Sequence, residues 1–424
     1  MRIVPSVCLA AVAAGLLVLP WSAAAQSFLA PPPAGRSSQP DTTALQQQID
    51  QLKKEFGERI AALEAKLAEA QVAAPTPAPP PEPAPPAQPS AASGAKFFNP
   101  DTAVIGTFLG TGGRNAINPS PALEMPESEV SFQAIVDPYM RADFYLAFGE
   151  AGVELEEGFA TLTALPGNLQ AKAGKMRAAF GKVNTLHNHV LPWADRPLVI
   201  NNLVGGEEGI SDAGVSVARL IPIGNVFFEA TGQVFRGDAA EGELYKSSKP
   251  GDLSYVGHLR GYVDLTESTN LDLGASYSQG HNAAGIVADV DIGRFTTELF
   301  GVNATFRWRP LTRAIYRQFV ARTEYIRSHR DQFDGVQKAD GFYVSGDYQF
   351  ARRWWLGGRL DQSGRADDAS LLDRGQSFLL TFMPTEFSKV RGQYRRTAYA
   401  DGPTAHEFLM QFQFAIGAHG AHPF

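Results

Sequence analysis

The sequence predicts an all-β fold, a 16-stranded antiparallel transmembrane β-barrel preceded by a short coiled-coil helix and a Pro-rich linker. Three observations lead to it. From residue 96 onward, apolar and polar residues alternate with a period of two, so one face of each strand is apolar. Sixteen such stretches occur, most of them longer than the roughly 5–6 residues of a soluble strand. The connections alternate between short and long, as in bacterial outer-membrane barrels.

The first 25 residues have the pattern of a secretory signal peptide. Arg2 is followed by an apolar stretch, Val7–Leu19, which is too short for a spanning helix, and by the small residues Ala23–Ala25. Cys8 is the one cysteine and lies within this signal, so the mature chain has no disulfide and no thiolate metal site. The formal net charge of −7 argues against a nucleic-acid partner.

Three segments precede the barrel, which we place at residues 96–424. Residues 26–40 are Pro/Ser-rich and predicted to be disordered. In residues 41–72 a narrow apolar stripe with near-heptad spacing predicts a coiled-coil helix, with a lone amphipathic helix as the alternative. Residues 73–95 are Pro-rich and favour an extended polyproline II linker, which is either an inert spacer or one that lets the helix contact the cell wall. From the barrel, we expect a homotrimer.

The predicted strands follow one another along the rest of the chain. They cover residues 100–111, 126–137, 138–149, 152–165, 168–180, 210–221, 224–237, 253–266, 269–282, 294–309, 313–330, 336–350, 352–366, 371–383, 386–400 and 404–417. Aromatic residues cluster near the short turns, as in the aromatic girdle of a barrel in outer-membrane lipid. The terminal Phe424 continues the apolar row, and a C-terminal aromatic resembles the signal for the barrel-assembly machinery.

The polar row of the strands should line the lumen. Its basic, pore-lining candidates are Arg141, Lys172, Arg260, Arg307, Arg309, Arg322, Arg359, Arg391 and Arg395. Its acidic members are Asp143, Glu229, Asp264, Asp272, Glu324, Asp347 and Asp361. Sixteen strands leave room for an aqueous channel, so we predict a porin that passes small polar or ionic solutes by diffusion, with at most a weak anion preference. A barrel filled with side chains, acting as a structural envelope anchor, is the alternative.

The longest connection, residues 181–209, interrupts the strands. We read it as a loop without secondary structure that folds into the barrel and narrows it, with Asp195, Arg196, Glu207 and Glu208 at the narrowest point. It also carries His187 and His189, and the C-terminal tail carries His419 and His422. Neutral imidazoles bind zinc, but these histidines also fit ordinary polar loop positions, so no cofactor is required. The G-x-S-x-G, P-loop and H-E-x-x-H motifs do not occur, and we expect no enzyme activity.

Three stretches and the order of the segments carry a resemblance to two known families. Coiled coil, Pro-rich spacer and barrel together resemble the phosphate-selective porin O/P-like group, and LQAKAGKMRAAFGKVN is similar to the strand before that group's third loop. HNHVLPWADRPLV and the ending AIGAHGAHPF resemble barrels labelled zinc-regulated TonB-dependent outer membrane receptors. The first resemblance implies an arginine and lysine ladder for phosphate. The second implies zinc-linked uptake and a plug domain. Residues 26–95 contain only the predicted helix and Pro-rich stretches in place of such a plug.

Overall fold

The computed structural model describes residues 51, 54, 100–150, 152–240, 244–287 and 290–417. The chain forms two compact units, residues 1–86 and 87–424. In the first unit, Gln51 and Lys54 are described and are helical. The predicted signal peptide, disordered segment and Pro-rich linker, the rest of the predicted coiled coil, and His419, His422 and Phe424 lie outside the described residues. Within those residues, none of the helices has the length and hydropathy needed to cross a membrane.

Residues 101–417 form a closed antiparallel barrel of sixteen strands, which confirms the predicted fold class and strand number. The strands are β1 (Asp101–Arg114), β2 (Leu123–Asp137), β3 (Met140–Gly149), β4 (Gly152–Leu165), β5 (Leu169–Arg177), β6 (Ser211–Ile223), β7 (Val226–Phe235), β8 (Ser254–Thr266), β9 (Thr269–His281), β12 (Thr296–Trp308), β13 (Gln318–Gln332), β14 (Gly335–Ala351), β15 (Trp354–Gly364), β16 (Leu372–Thr385), β17 (Ser388–Ala398) and β18 (Ala405–Gly417). A two-residue hairpin, β10 (Ile286–Val287) and β11 (Val290–Asp291), lies between β9 and β12.

Each barrel strand pairs with its neighbours in the chain, and β18 closes the ring on β1. The connections at one end, here called the turn end, are mostly tight: 138–139, 166–168, 224–225, 267–268, 309–317, 352–353 and 386–387. At the other end, the loop end, most connections are longer, and the longest is 178–210. Two loop-end joints, 150–151 and 333–334, are short.

The two faces of the barrel wall differ as the alternation predicts. On β12, Phe300 and Val302 are exposed on the outer face, whereas Leu299 and Thr305 are buried on the inner face. The outer face is apolar on most strands. Near the turn end, Trp354 stacks on Phe382 at a ring-centroid distance of 4.5 Å. An apolar outer surface with aromatic rings near one rim is the surface that a bilayer requires of a barrel.

Candidate functional site: the segment inside the barrel

Residues 178–210, here called the inner segment, connect β5 to β6. The prediction that it has no secondary structure is wrong, because it contains two 3₁₀ turns, Val183–Thr185 and Asn188–Val190, and the short helix α1, Leu198–Leu203. The helix ends where Gly205 and Gly206 adopt positive φ angles of 95° and 64°, a conformation that costs a glycine little.

One asparagine closes the base of the inner segment. The Asn184 side chain donates to the carbonyl oxygens of Ala178 at 2.9 Å and Ile210 at 3.1 Å, and it accepts from the Ile210 amide at 2.8 Å. These bonds hold the first and last residues of the segment together, so the chain between them is a closed unit that leaves and re-enters the wall at adjacent strands.

An apolar core fills part of the barrel interior. Phe180, Trp193, Ile200 and Leu203 of the inner segment are fully buried. They belong to one cluster with inner-face wall residues, among them Leu299, Ile326, Tyr343 and Leu379. Trp193 contacts Tyr343 edge to face at a centroid distance of 5.1 Å. These wall residues are apolar at positions where the row of their strands is otherwise polar. That interruption is the signal in the sequence from which an internal core could have been predicted.

Among the described residues, hydrogen bonds attach the inner segment to eight strands of the wall besides β5, which precedes it. The wall partners are Glu127 and Glu129 (β2), Glu156 and Glu157 (β4), Gln233 (β7), Ser276 (β9), Glu324 (β13), Arg359 and Asp361 (β15), Asp373 (β16), and Lys389, Arg391, Gln393 and Arg395 (β17). In the ring order of the strands, these partners are spread around the barrel. The segment is therefore fixed to the inside of the wall on several sides.

Asp195 of the inner segment is bonded to three side chains of the wall. Its carboxylate lies 2.9 Å from Arg359, 3.0 Å from Arg395 and 2.5 Å from the Gln393 amide nitrogen. Burial opposes the negative charge, but the two guanidinium groups outweigh that effect and lower the pKa of Asp195 to about 2. Asp195 is thus ionised at neutral pH and ties the segment to β15 and β17.

The other three residues expected at the narrowest point are not bonded to β15 and β17 as Asp195 is. Arg196 is buried and donates to the carbonyl oxygens of Val183 at 3.2 Å and Leu186 at 2.7 Å, so it stabilises the fold of the segment itself. Glu207 is exposed and Glu208 is half-buried, and both offer backbone carbonyls to Arg177 at the loop-end edge of β5.

The predicted pore-lining residues divide into water-facing and covered ones. Arg141, Arg260 and Arg322 pair with Asp143, Asp272 and Asp347 at 2.6, 2.7 and 2.6 Å. The side chains of Arg141 and Arg260 are still 44% and 39% exposed, so water reaches the inner wall toward the turn end.

The remaining six predicted basic residues have other surroundings. Arg309 is exposed in the 309–317 connection and does not lie on a strand. Lys172 lies over the Phe159 ring at 4.6 Å. Arg307 approaches Asp272 only to 4.0 Å. Arg359 and Arg391 are buried beneath the inner segment, where they anchor it instead of facing water. Arg395 bridges Asp195 and Glu407.

The two histidines of the inner segment lie against four wall carboxylates. The group, here called the His187 cluster, consists of His187, His189, Glu127, Glu129, Glu156 and Glu157. The Nδ1 atom of His187 lies 2.8 Å from Glu129 and 3.0 Å from Glu156, and its Nε2 atom lies 2.7 Å from Glu157. The Nδ1 atom of His189 lies 3.3 Å from the same Glu129 oxygen.

The carboxylates around the His187 ring determine its charge when no metal is bound. When Glu129, Glu156 and Glu157 are ionised their oxygens only accept hydrogen bonds, so both ring nitrogens donate and the ring is an imidazolium. Burial opposes that charge, but hydrogen bonds from the ring to Glu129, Glu156 and Glu157 raise the pKa of His187 well above its usual value. The glutamate partners could not be assigned from sequence, since they lie about 30 to 60 residues before the histidines.

Comparisons with known proteins show the fold. No protein-family model matches the chain. An uncharacterized protein of Aquifex aeolicus (strain VF5) is 29% identical over 344 residues, which are 73% of this chain and 71% of that one. An anion-selective porin from Comamonas acidovorans superimposes with a TM-score of 0.52 at 10% identity, covering 74% of this chain and 98% of that one. A loop L8 deletion mutant of OmpT, an outer membrane protein of Vibrio cholerae, gives 0.50 at 10% identity, with 74% and 98% covered. The chain shares the barrel fold of these two outer-membrane proteins.

Proposed function

We propose that the protein is an outer-membrane channel of the porin type, through which small polar or ionic solutes diffuse past the inner segment. One observation carries the proposal. Inside the barrel the inner segment is bonded to a polar wall, and arginines of that wall remain exposed to water toward the turn end. A plug-forming structural anchor would not need hydrated charges on its inner wall. The likeness to an anion-selective porin and to OmpT supports the fold on which the proposal rests.

The charges of the wall favour a weak anion preference. Near the turn end, three arginines are neutralised by paired aspartates, while Lys172 faces a phenyl ring and Arg307 has only a distant carboxylate. Basic side chains lining a pore favour anions. Toward the loop end the glutamates of the His187 cluster oppose this preference, so a phosphate-specific ladder is not part of the proposal. Catalysis is not part of it either.

The same proposal includes the assembly of the protein. The apolar outer face contacts outer-membrane lipid, three copies of the chain associate, and residues 41–72 form a coiled coil. The helix contacts the cell wall, and Phe424 is read by the barrel-assembly machinery. Ion current through purified protein in planar bilayers tests the channel itself, because an open barrel gives discrete steps that grow with salt concentration.

Zinc binding at the His187 cluster is a second candidate function, favoured by the arrangement of its ligand atoms. Ligand atoms of Glu129, Glu156 and His187 lie within 4.8 Å of one another, and so do those of Glu127, Glu129 and His189. Ligands about 2.0 Å from a tetrahedral zinc are about 3.3 Å apart, close to the observed 2.8 and 3.0 Å separations. Glu157 would then orient the ring through Nε2, as carboxylates do for zinc-bound histidines.

We expect zinc to reduce the ion current of the wild-type channel and to leave the current of the variant His187→Ala with His189→Ala unchanged. A zinc ion bound at the inner segment would obstruct the passage. Because zinc must displace a proton from the His187 ring to bind, zinc block should strengthen as the pH rises from 6 to 8. The measurement is the fractional current in planar bilayers before and after zinc, followed by a chelator. His406→Ala, which removes an exposed loop-end histidine, is the matched control and should be blocked like the wild type. Equal block in the double variant would rule out this site.

A further inference from the structure

Two loop-end connections meet at three residues outside the inner segment. Asp252 lies at the end of the 236–253 connection, His281 is the last residue of β9, and Asp291 belongs to the β10–β11 hairpin. One ligand atom of each lies within 4.8 Å of the others. The residues are 29 and 10 positions apart in the chain, so the folding of the two connections brings them together.

The hydrogen bond of the His281 ring leaves its Nε2 atom as the nitrogen available to a metal. The ring is only 4% exposed, and its Nδ1 atom lies 3.0 Å from the carbonyl oxygen of Asn282. A carbonyl oxygen can only accept, so Nδ1 carries the hydrogen and Nε2 keeps its lone pair. Among the described residues, Nε2 has no hydrogen-bond partner. A buried nitrogen without a partner is costly, and Nδ1–H bonded to a carbonyl is the usual arrangement of a metal-binding histidine.

The two carboxylates are held close together by one hydroxyl group. Oγ of Ser248 lies 2.7 Å from Oδ2 of Asp252 and 2.9 Å from Oδ2 of Asp291. A hydroxyl has a single hydrogen, so it can donate to only one of them at a time. Lys249 lies 3.3 Å from the Asp291 carboxylate and supplies one positive charge for the two acids. A divalent cation between the carboxylates would supply the missing charge.

We propose that Asp252, His281 and Asp291 form a zinc site that joins the 236–253 connection to the β10–β11 hairpin. One imidazole nitrogen and two carboxylate oxygens suit zinc, whereas calcium and magnesium select sites made of oxygen alone. Three protein ligands leave the fourth position of a tetrahedral ion for water. The site is separate from the His187 cluster and does not depend on passage through the barrel.

The test is metal binding by the purified full-length protein in detergent. Zinc content after equilibrium dialysis gives the number of sites, and the visible absorption of a cobalt-substituted sample reports tetrahedral coordination. Asp291→Asn is the informative variant because its side chain is partly exposed. We expect it to weaken zinc binding at this site at least tenfold and to remove the cobalt absorption that belongs to it. Asp334→Asn, an exposed aspartate in another loop-end turn, is the matched control and should bind like the wild type.

A second variant separates this site from the His187 cluster. The variant His187→Ala with His189→Ala should keep one zinc ion, and adding Asp291→Asn to it should weaken the binding of that ion at least tenfold. Far-UV circular dichroism and heat-modifiable migration in gels show that each variant has a folded barrel. The proposal is overturned if folded Asp291→Asn and Asp252→Asn proteins bind zinc as the wild type does, or if the wild type binds no zinc at micromolar concentration.

Discussion

Deletion of residues 187–203 is expected to raise the single-channel conductance severalfold. The deletion removes the histidines, Trp193, Asp195 and α1, and with them the bonds to β2, β4, β15, β16 and β17. The sixteen residues of the segment that remain, 178–186 and 204–210, are enough to reconnect β5 to β6. A sixteen-strand barrel without an inward segment has a wide aqueous lumen. The measurement is the conductance of single channels in planar bilayers.

The control for this deletion is the removal of residues 119–121, an exposed stretch of the connection between β1 and β2. It shortens another loop-end connection without touching the interior, so its conductance should equal that of the wild type. Heat-modifiable migration in gels identifies preparations in which the barrel has assembled. An assembled deletion variant with unchanged conductance would show that the inner segment is not the barrier to ion flow.

Asp195→Asn is expected to loosen the inner segment and to lower the stability of the protein. The substitution removes the negative charge between Arg359 and Arg395 and leaves each guanidinium with one remaining carboxylate, Asp361 or Glu407. Removing one partner from a buried ion pair costs about 3–5 kcal/mol. We expect a lower thermal unfolding temperature and a current with frequent steps between closed and more open levels.

Glu207→Gln is the matched control, since it neutralises an exposed carboxylate of the same segment. Its unfolding temperature and current should match those of the wild type. If Asp195→Asn behaves like this control in both measurements, the ion pairs to β15 and β17 do not hold the segment in place.

The barrel could be predicted from the sequence because the patterns that indicate its strands and turns are local in the chain. Each strand repeats apolar and polar residues with a period of two, and Phe300 and Val302 alternate with Leu299 and Thr305 in the structure as that period requires. The turns between strands add a second local signal. Both signals are read within windows of about ten to twenty residues, and no long-range contact has to be known.

The interior could be predicted only in part, because its partners are distant in the chain. Leu299, Ile326, Tyr343 and Leu379 occupy inner positions where a hydrated lumen would favour polar residues, and their role emerges only when the inner segment packs on them. Arg359 and Arg391 have the parity of pore-lining residues but lie beneath that segment. Strand parity predicts the direction of a side chain, whereas its burial depends on what else enters the barrel.

The residues of the two proposed zinc sites could not be grouped from the sequence for the same reason. His187 was a recognisable ligand type, but its glutamate partners come from β2 and β4. His281, Asp252 and Asp291 form no spacing pattern of a known metal motif, and the meeting of two loop-end connections was not predicted.

The zero-current potential of the wild-type protein in a salt gradient across a planar bilayer tests the central claim most directly. In the proposed channel an aqueous path passes the inner segment through the lumen. We predict discrete current steps that increase with salt concentration and a small potential of the sign that indicates weak anion preference. A bilayer that stays silent with assembled protein present would show that the inner segment closes the barrel, and it would contradict the account.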